Sequence, residues 1–417
     1  MNESLAAGHA NPRLVSVFSN VGHTCTHMFT ILYATAVLHL PREFGLPFGE
    51  MLGLASFGMV LYGVCALPAG WLADRWSQVG MMVLFFVGIG VGAIATGLAE
   101  SKSHLFWGLT LIGAFAAIYH PVGIAWLVAV AKRQGMTLGI NGVFGSLGSA
   151  LAPIFVGLMI DYVTWRAAFI VPGMVAVAFG VALALCWKRG VLTDARSDRA
   201  PQSGAPDSAA MRKVFAILTL TMCASGFVYS GLITTMPKLF ETGLGDDLAM
   251  SYTEIGAYVG AVIGFASLSS ILGGWLADRY AARNIYMVFW LLTVPPVFAM
   301  TSSTGAILLV VALLAMFFNT TFAAAENLLV ARYTPFKWRS LAYGAKFVLA
   351  LGVGGLTVKL AGDVFDRTGD FDSLYVAFSI AGIAAALAAW LLPKSPQTGR
   401  RAPSTVPSRP DCAHPSW

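Results

Sequence analysis

"GWLADRW" occupies residues 70–76 and "GWLADRY" residues 274–280. Each phrase closes a long apolar run with an Asp and an Arg side by side, and Asp278 lies 204 residues after Asp74, close to half the chain length. A six-residue phrase does not return at that distance by chance. Either the chain is duplicated, or two equivalent places share one physical need.

Composition decides the surroundings of both copies. The 417 residues are 57% hydrophobic and only 11% charged, where an ordinary soluble domain is about a quarter charged. A mean hydropathy of +0.73 over this length excludes a water-exposed globule, so the chain reads as an integral membrane protein. The net charge of +6 does not indicate a nucleic-acid partner, because the basic residues stand singly between apolar runs and form no contiguous face. Cys25, Cys65, Cys186, Cys223 and Cys412 show no metal-ligand spacing and read as small buried hydrophobes. No metal and no cofactor is expected. The first apolar run is too long for the core of a cleaved signal peptide and is itself a span.

A span needs about 20 apolar residues to cross a hydrocarbon core about 30 Å thick. Six such stretches fall at about 14–40, 50–73, 80–99, 104–131, 137–160 and 167–187, and six more at about 214–240, 252–277, 284–302, 304–331, 340–364 and 373–392. The fold class is therefore an all-α membrane protein of twelve transmembrane helices, two six-helix bundles related by a pseudo-two-fold axis. Residues 1–13 form an N-terminal segment, 14–187 the first half, 188–213 a Pro-, Gly- and Ser-rich linker, 214–392 the second half, and 393–417 a Pro-rich disordered tail. Nineteen of the 26 Lys and Arg fall on the side of the termini and linker. The positive-inside rule makes that side cytoplasmic, in the inner membrane of the cell.

Both copies of the phrase thus end the second span of a half, at the start of a short cytoplasmic loop. Gly70 and Gly274 permit close helix approach, Asp74 and Asp278 can face the positive end of a neighbouring helix, and Arg75 and Arg279 anchor the inner side. Two parallel repeats with one phrase at the same place in each is the plan of a transporter. The doubled G-x-L-A-D-R resembles the signature loop of the major facilitator superfamily over residues 14–392. That resemblance implies a loop that braces the halves and releases as the open side switches. The first copy continues "WSQVG" and lacks the family's further bases, while the second, "YAARN", keeps Arg283.

Ionisable groups inside a span cost about 2.5–3.5 kcal/mol at a helix centre and mark function by default. They are His23, His27, His120, Glu326, Lys346 and Lys359. At about 1.5 Å per residue, His23 and His120 lie level near mid-membrane, and His27 is one turn along the face of His23. The resemblance implies that spans 1, 4, 7 and 10 line the central cavity, which would bring these rings together. Packing by hydrogen bonding is the other reading of each. Pro121 can bend span 4 at the same depth. Glu326 and Lys346 reach equal depth on adjacent spans, as a static ion pair or as a proton site. Asn319, two turns before Glu326, would offer the cavity an amide, and Lys359 would snorkel to the outer end.

Span 5 carries Gly142, Gly145, Gly148 and Pro153 in "GVFGSLGSALAP", a close-packing pattern. It loosely resembles the superfamily's antiporter motif, with Ala152 in place of a Gly. The span-1 His, "HP" in span 4 and "GSLGSALAP" together resemble the fosmidomycin-resistance branch, whose members export an anionic phosphonate. Where that branch has acids, this chain has His27 and Val122. Three His and Lys346 against one acid imply a neutral-to-positive cavity for an anionic or amphiphilic substrate, with histidine able to carry protons.

The leading expectation is a monomeric secondary transporter in the lipid bilayer, moving a small molecule by alternating access in a proton-coupled antiport that exports it. Uptake of an organic anion by symport is the alternative, and a membrane sensor that moves nothing is a third. No G-x-x-x-x-G-K-[ST] loop is present, so ATP is not the direct drive. The protein reads as a transporter, not an enzyme.

Overall fold

A computed structural model describes residues 11–195, 208–245, 250–333 and 339–393. The expectations for residues 1–10, the centre of the linker and the tail beyond 393 lie outside the described residues. Among the described residues every regular element is helical. Ten helices are long and apolar enough to cross a membrane, and Phe48–Val64 with Ala66–Arg75, bent by 41°, makes an eleventh crossing.

The remaining expected span departs from the pattern for a physical reason. Pro12–Ala36 is a 25-residue helix, opened by Pro12 and by Asn11, whose side chain accepts from the amides of Arg13 and Leu14. Its length spans a bilayer at about 1.5 Å per residue, but Asn20, His23, Thr24, Thr26, His27 and Thr30 hold its hydropathy down. Those residues are buried or half-buried against neighbouring helices, so protein rather than lipid solvates them. Polar content here marks a helix that faces inward.

The twelve crossings are span 1 (Pro12–Ala36), span 2 (Phe48–Val64 and Ala66–Arg75), span 3 (Gln78–Gly97), span 4 (Lys102–Val130), span 5 (Gln134–Tyr162), span 6 (Ala167–Lys188), span 7 (Val214–Gly243), span 8 (Tyr252–Arg279), span 9 (Ala282–Ala299), span 10 (Gly305–Val330), span 11 (Gly344–Thr368) and span 12 (Asp372–Trp390). Span 4 widens over Tyr119–Gly123 into a single π turn. Pro121 has no amide to give, and a wider turn absorbs the missing bond while re-aiming His120.

Glycines let backbones meet where the expected packing motif lies. A Cβ on Gly148 would sit 2.3 Å from the Thr24 carbonyl oxygen of span 1, and one on Gly256 of span 8 would sit 2.2 Å from the Pro153 carbonyl oxygen. Span 5 therefore packs against span 1 inside its own half and against span 8 across the divide. Span 2 meets span 11 in the same way, with Gly362 against the carbonyl of Gly49. Of the two signature glycines, Gly70 lies 3.2 Å from Pro121 when given a Cβ. Gly274 meets nothing within 4 Å. In the second half it is Gly273, 2.1 Å from the Thr321 carbonyl, that permits the approach. The expectation for Gly274 is corrected to its neighbour.

At the end of the molecule away from the start of span 1, one device joins the two halves twice. Asp161, at the end of span 5, accepts from the amides of Tyr252 (3.3 Å) and Thr253 (2.7 Å) at the start of span 8. Asp366, at the end of span 11, accepts from Gly49 (2.7 Å) and Glu50 (3.0 Å) at the start of span 2. Each half thereby satisfies the open amides of a helix in the other, where a carboxylate also meets the positive end of the helix dipole. Lys359, expected to snorkel, is ion-paired with Asp363 near this end.

Capping by a side chain is worth about 1 kcal/mol, so removing both caps should cost the closed state about 2 kcal/mol, over tenfold in population. In the Asp161→Ala, Asp366→Ala double variant, a cysteine placed in the cavity should react faster with a membrane-impermeant thiol reagent added from the capped end. An unchanged labelling rate would show that the caps do not hold that end shut.

Candidate functional site

The three histidines converge. Their ligand nitrogens lie within 4.8 Å of one another, with ring centroids 4.9 Å apart for His23 and His27 and 5.5 Å from each to His120. His23 Nδ1 lies 2.7 Å from the Asn141 carbonyl oxygen. A carbonyl only accepts, so Nδ1 carries the proton and Nε2 keeps a lone pair. His27 Nε2, 3.2 Å from His23 Nε2, therefore donates to it. His120 Nε2 lies 3.0 Å from the Tyr62 hydroxyl, while its Nδ1 is buried with no partner. The face of the His120 ring stacks on Phe347 of span 11 at 4.9 Å and 14°. A residue of the second half thus rests directly on one of the histidines of the first.

Behind the rings lies a network that residue spacing did not reveal. Asn141 is buried, donates to Asn20 and to the Tyr119 hydroxyl, each at 2.9 Å, and Tyr119 in turn stacks on His23 at 4.9 Å. Tyr119 also meets Ser19 at 3.3 Å. An Asn in the otherwise apolar run after Gly139 was the available signal. Gly145 completes the arrangement, since a Cβ there would stand 2.6 Å from His23 Nε2.

His23 and His27 open onto a cavity of about 150 Å³ that also includes Gly142, Gly145, Ser146, Ser149, Tyr229, Ile263, Ser267, Ser270, Met316 and Thr320. Spans from both halves line it. Two sequence expectations change here. Asn319 is buried but is not among the lining residues, and its Nδ2 has no partner. Met316 and Thr320, on the adjoining stripe of span 10, take its place. Lys346 is not among them either, so this lining holds imidazoles and hydroxyls without a fixed charge. The expected neutral-to-positive cavity is formally neutral.

Lys346 is instead 2.5 Å from Glu326 Oε1, and the Tyr286 hydroxyl donates to Oε2 at 2.7 Å. Lys346 also donates to Asn327 at 2.6 Å. Glu326 is buried, the one buried carboxylate among the described residues. It sits in the first turn after span 10 breaks between Thr321 and Ala323. Tyr286 of span 9 was not anticipated, because nothing in an apolar span marks a tyrosine whose hydroxyl finds an acid.

At the other end the repeated phrase folds the same way twice. Arg75 lies over the ring of Trp71 and Arg279 over that of Trp275, both 4.2 Å from the centroid, and each donates to its own tryptophan's carbonyl oxygen. Both arginines turn back on their own helices. The start of span 3 is capped by Ser77 and by Asp194, which accepts from the amide of Val79 at 2.9 Å. Asp74 lines a crevice beside Asp194 and Gln78. Arg283, the retained base of the second loop, is buried and donates to the Trp390 carbonyl at the end of span 12.

A polar cavity lined from both six-helix bundles is the plan of a transporter built from parallel halves. The chain belongs to the Major Facilitator Superfamily, whose profile matches residues 20–246 and 239–413. It is similar to the D-galactonate transporter of Escherichia coli O6:H1, with 24% identity over 86% of this chain and 90% of that one. It is also similar to the tetracenomycin C resistance and export protein of Streptomyces glaucescens, 31% identical over 35% of this chain and 26% of that one. In fold it is similar to the inward-facing, occupied bacterial homologue of the human lysosomal transporter Spinster, with a TM-score of 0.72 at 15% identity, covering 92% of this chain and 97% of that one.

The two span-5 glycines nearest the cavity separate packing from space. A methyl group on Gly145 must displace His23, whereas one on Gly142 meets nothing within 4 Å and removes a helix-weakening residue worth about 1 kcal/mol. Gly145→Ala should lower the thermal unfolding midpoint in detergent, and Gly142→Ala should leave it equal or higher. Equal midpoints for Gly145→Ala and wild type would mean that His23 is not held where the structure shows it.

Proposed function

We propose that the protein moves a small hydroxylated organic acid across the membrane by alternating access, with proton binding at Glu326 as the coupled step. The observation that carries this reading is the buried carboxylate of Glu326, shared between Lys346 and Tyr286. A buried pair of charges is poor at adding stability and strongly destabilising when one partner is lost. Protonating Glu326 removes the reason for Lys346 to stay, and Lys346 then has to move towards water. Phe347, the next residue on span 11, is the ring stacked on His120. One helix segment thus touches the acid with one side chain and the histidine cluster with the next, so a shift of span 11 is felt at both.

The substrate class follows from the lining. Six hydroxyl groups and two imidazoles suit a solute rich in hydroxyls, and one relative matched over most of the chain is named for galactonate, a hydroxylated acid. The loops of Asp74, Arg75, Asp278 and Arg279 serve as the latch that braces the two halves and releases as the open side switches. The shorter likeness to the tetracenomycin exporter, together with the branch resemblance, favours export in exchange for protons as the second reading.

Both readings are separated by one experiment in proteoliposomes of known orientation, using labelled sugar acids, a phosphonate and an imposed pH gradient. Wild type should drive a sugar acid against its gradient. Glu326→Gln should keep solute exchange at zero pH difference while losing pH-driven accumulation by at least tenfold. Accumulation by Glu326→Gln equal to wild type would remove Glu326 from the coupling. Movement of the phosphonate alone, outward, would replace the sugar-acid reading with export.

A further inference from the structure

We propose that His23, His27 and His120 form a binding site for one divalent first-row transition ion of the Zn²⁺ class. Three imidazoles are the donor set of a tetrahedral Zn²⁺ centre whose fourth position stays open. Nitrogen donors select this group of metals over Ca²⁺ and Mg²⁺, which take oxygen. The 3.2 Å between His23 Nε2 and His27 Nε2 is close to the separation, about 3.4 Å, of two nitrogens each about 2.1 Å from one tetrahedral ion. The third nitrogen lies within 4.8 Å, so rotation of the His120 side chain closes the set.

Two features distinguish the cluster from three packed rings. The first is support from behind. Metal-bound histidines almost always give their other nitrogen to a carbonyl, carboxylate or water, which fixes the tautomer and the ring. His23 gives Nδ1–H to the Asn141 carbonyl, and His120 has its Nε2 against the Tyr62 hydroxyl. The remaining nitrogens, His23 Nε2 and His120 Nδ1, are then the ligands. The second feature is the buried His120 Nδ1, which has no partner. Buried polar atoms rarely lack one, and a metal ion would supply it. His27 alone must change, moving its proton from Nε2 to Nδ1. A neutral histidine makes that exchange without releasing a proton.

His23 and His27 face the cavity, so the open coordination position faces it as well. No carboxylate or cation is among the residues of that lining, and the ion would keep its full charge there. If the substrate is an organic acid, as proposed above, its carboxylate would meet this charge. The metal site itself does not depend on that reading.

The test uses the full chain in lipid nanodiscs, without a polyhistidine tag, and needs no transport assay. Co²⁺ titration should bring up the visible bands of tetrahedral cobalt at one equivalent, displaced by Zn²⁺ and untouched by Mg²⁺. His27→Ala and His120→Ala should each weaken Co²⁺ binding at least tenfold. Zn²⁺ should also raise the unfolding midpoint of the wild-type protein, a readout that no variant's folding can confound. Absence of saturable Co²⁺ binding in wild type overturns the proposal. So does an equivalent retained in the triple His→Ala variant, which would place the ion elsewhere.

Discussion

The arrangement depends on one close approach, that of span 5 to span 1. Gly148 has its Cα against the Thr24 carbonyl, and Gly145 leaves open the volume that the His23 ring fills. Because the backbones are this near, His23 reaches a main-chain carbonyl on the facing helix, and its tautomer is set by an acceptor that cannot donate. That choice leaves Nε2 aimed at His27. The orientation of the cluster therefore begins with two missing side chains. Among apolar helices no hydrophobic force drives association, so van der Waals contact and hydrogen bonds decide it, and glycine maximises both.

The duplicated architecture is used symmetrically for closure and asymmetrically for chemistry. Asp161 and Asp366 cap opposite halves by the same geometry, and Arg75 and Arg279 fold back on their tryptophans by the same geometry. The chemistry is divided instead. Imidazoles stand in the first half on spans 1 and 4, and the acid with its lysine stands in the second on spans 10 and 11. They are joined through adjacent residues of span 11, Lys346 and Phe347. Such a division suits a machine whose halves rock against each other, because a change in one is transmitted at their contact.

The buried pair of Glu326 and Lys346 is a costly way to brace a hairpin. Apolar side chains would hold the same hairpin at less cost, since each ion pays for leaving water. The tyrosine hydroxyl on the second oxygen steadies the ionised state, and Asn327 gives the lysine a second acceptor. Under the proposed function, that cost is what suits the pair to a coupled proton.

Much of the fold was legible from residue patterns alone. Twelve crossings, their approximate ends and the twofold repeat follow from hydropathy and from the phrase ending at Arg75 and Arg279, because a bilayer imposes length and apolarity locally. The ionisable residues were legible for a related reason: each is an exception to that local rule. Partners were not legible, because they are set by which faces meet. The sequence assigned to Gly274 the contact made by Gly273. It could not show that Asn141, Tyr119 and Tyr62 support the histidines, or that Tyr286 holds Glu326. Residues scores of positions apart become neighbours only when glycines admit one helix to another. That meeting is a property of the packed bundle, and no single span contains it.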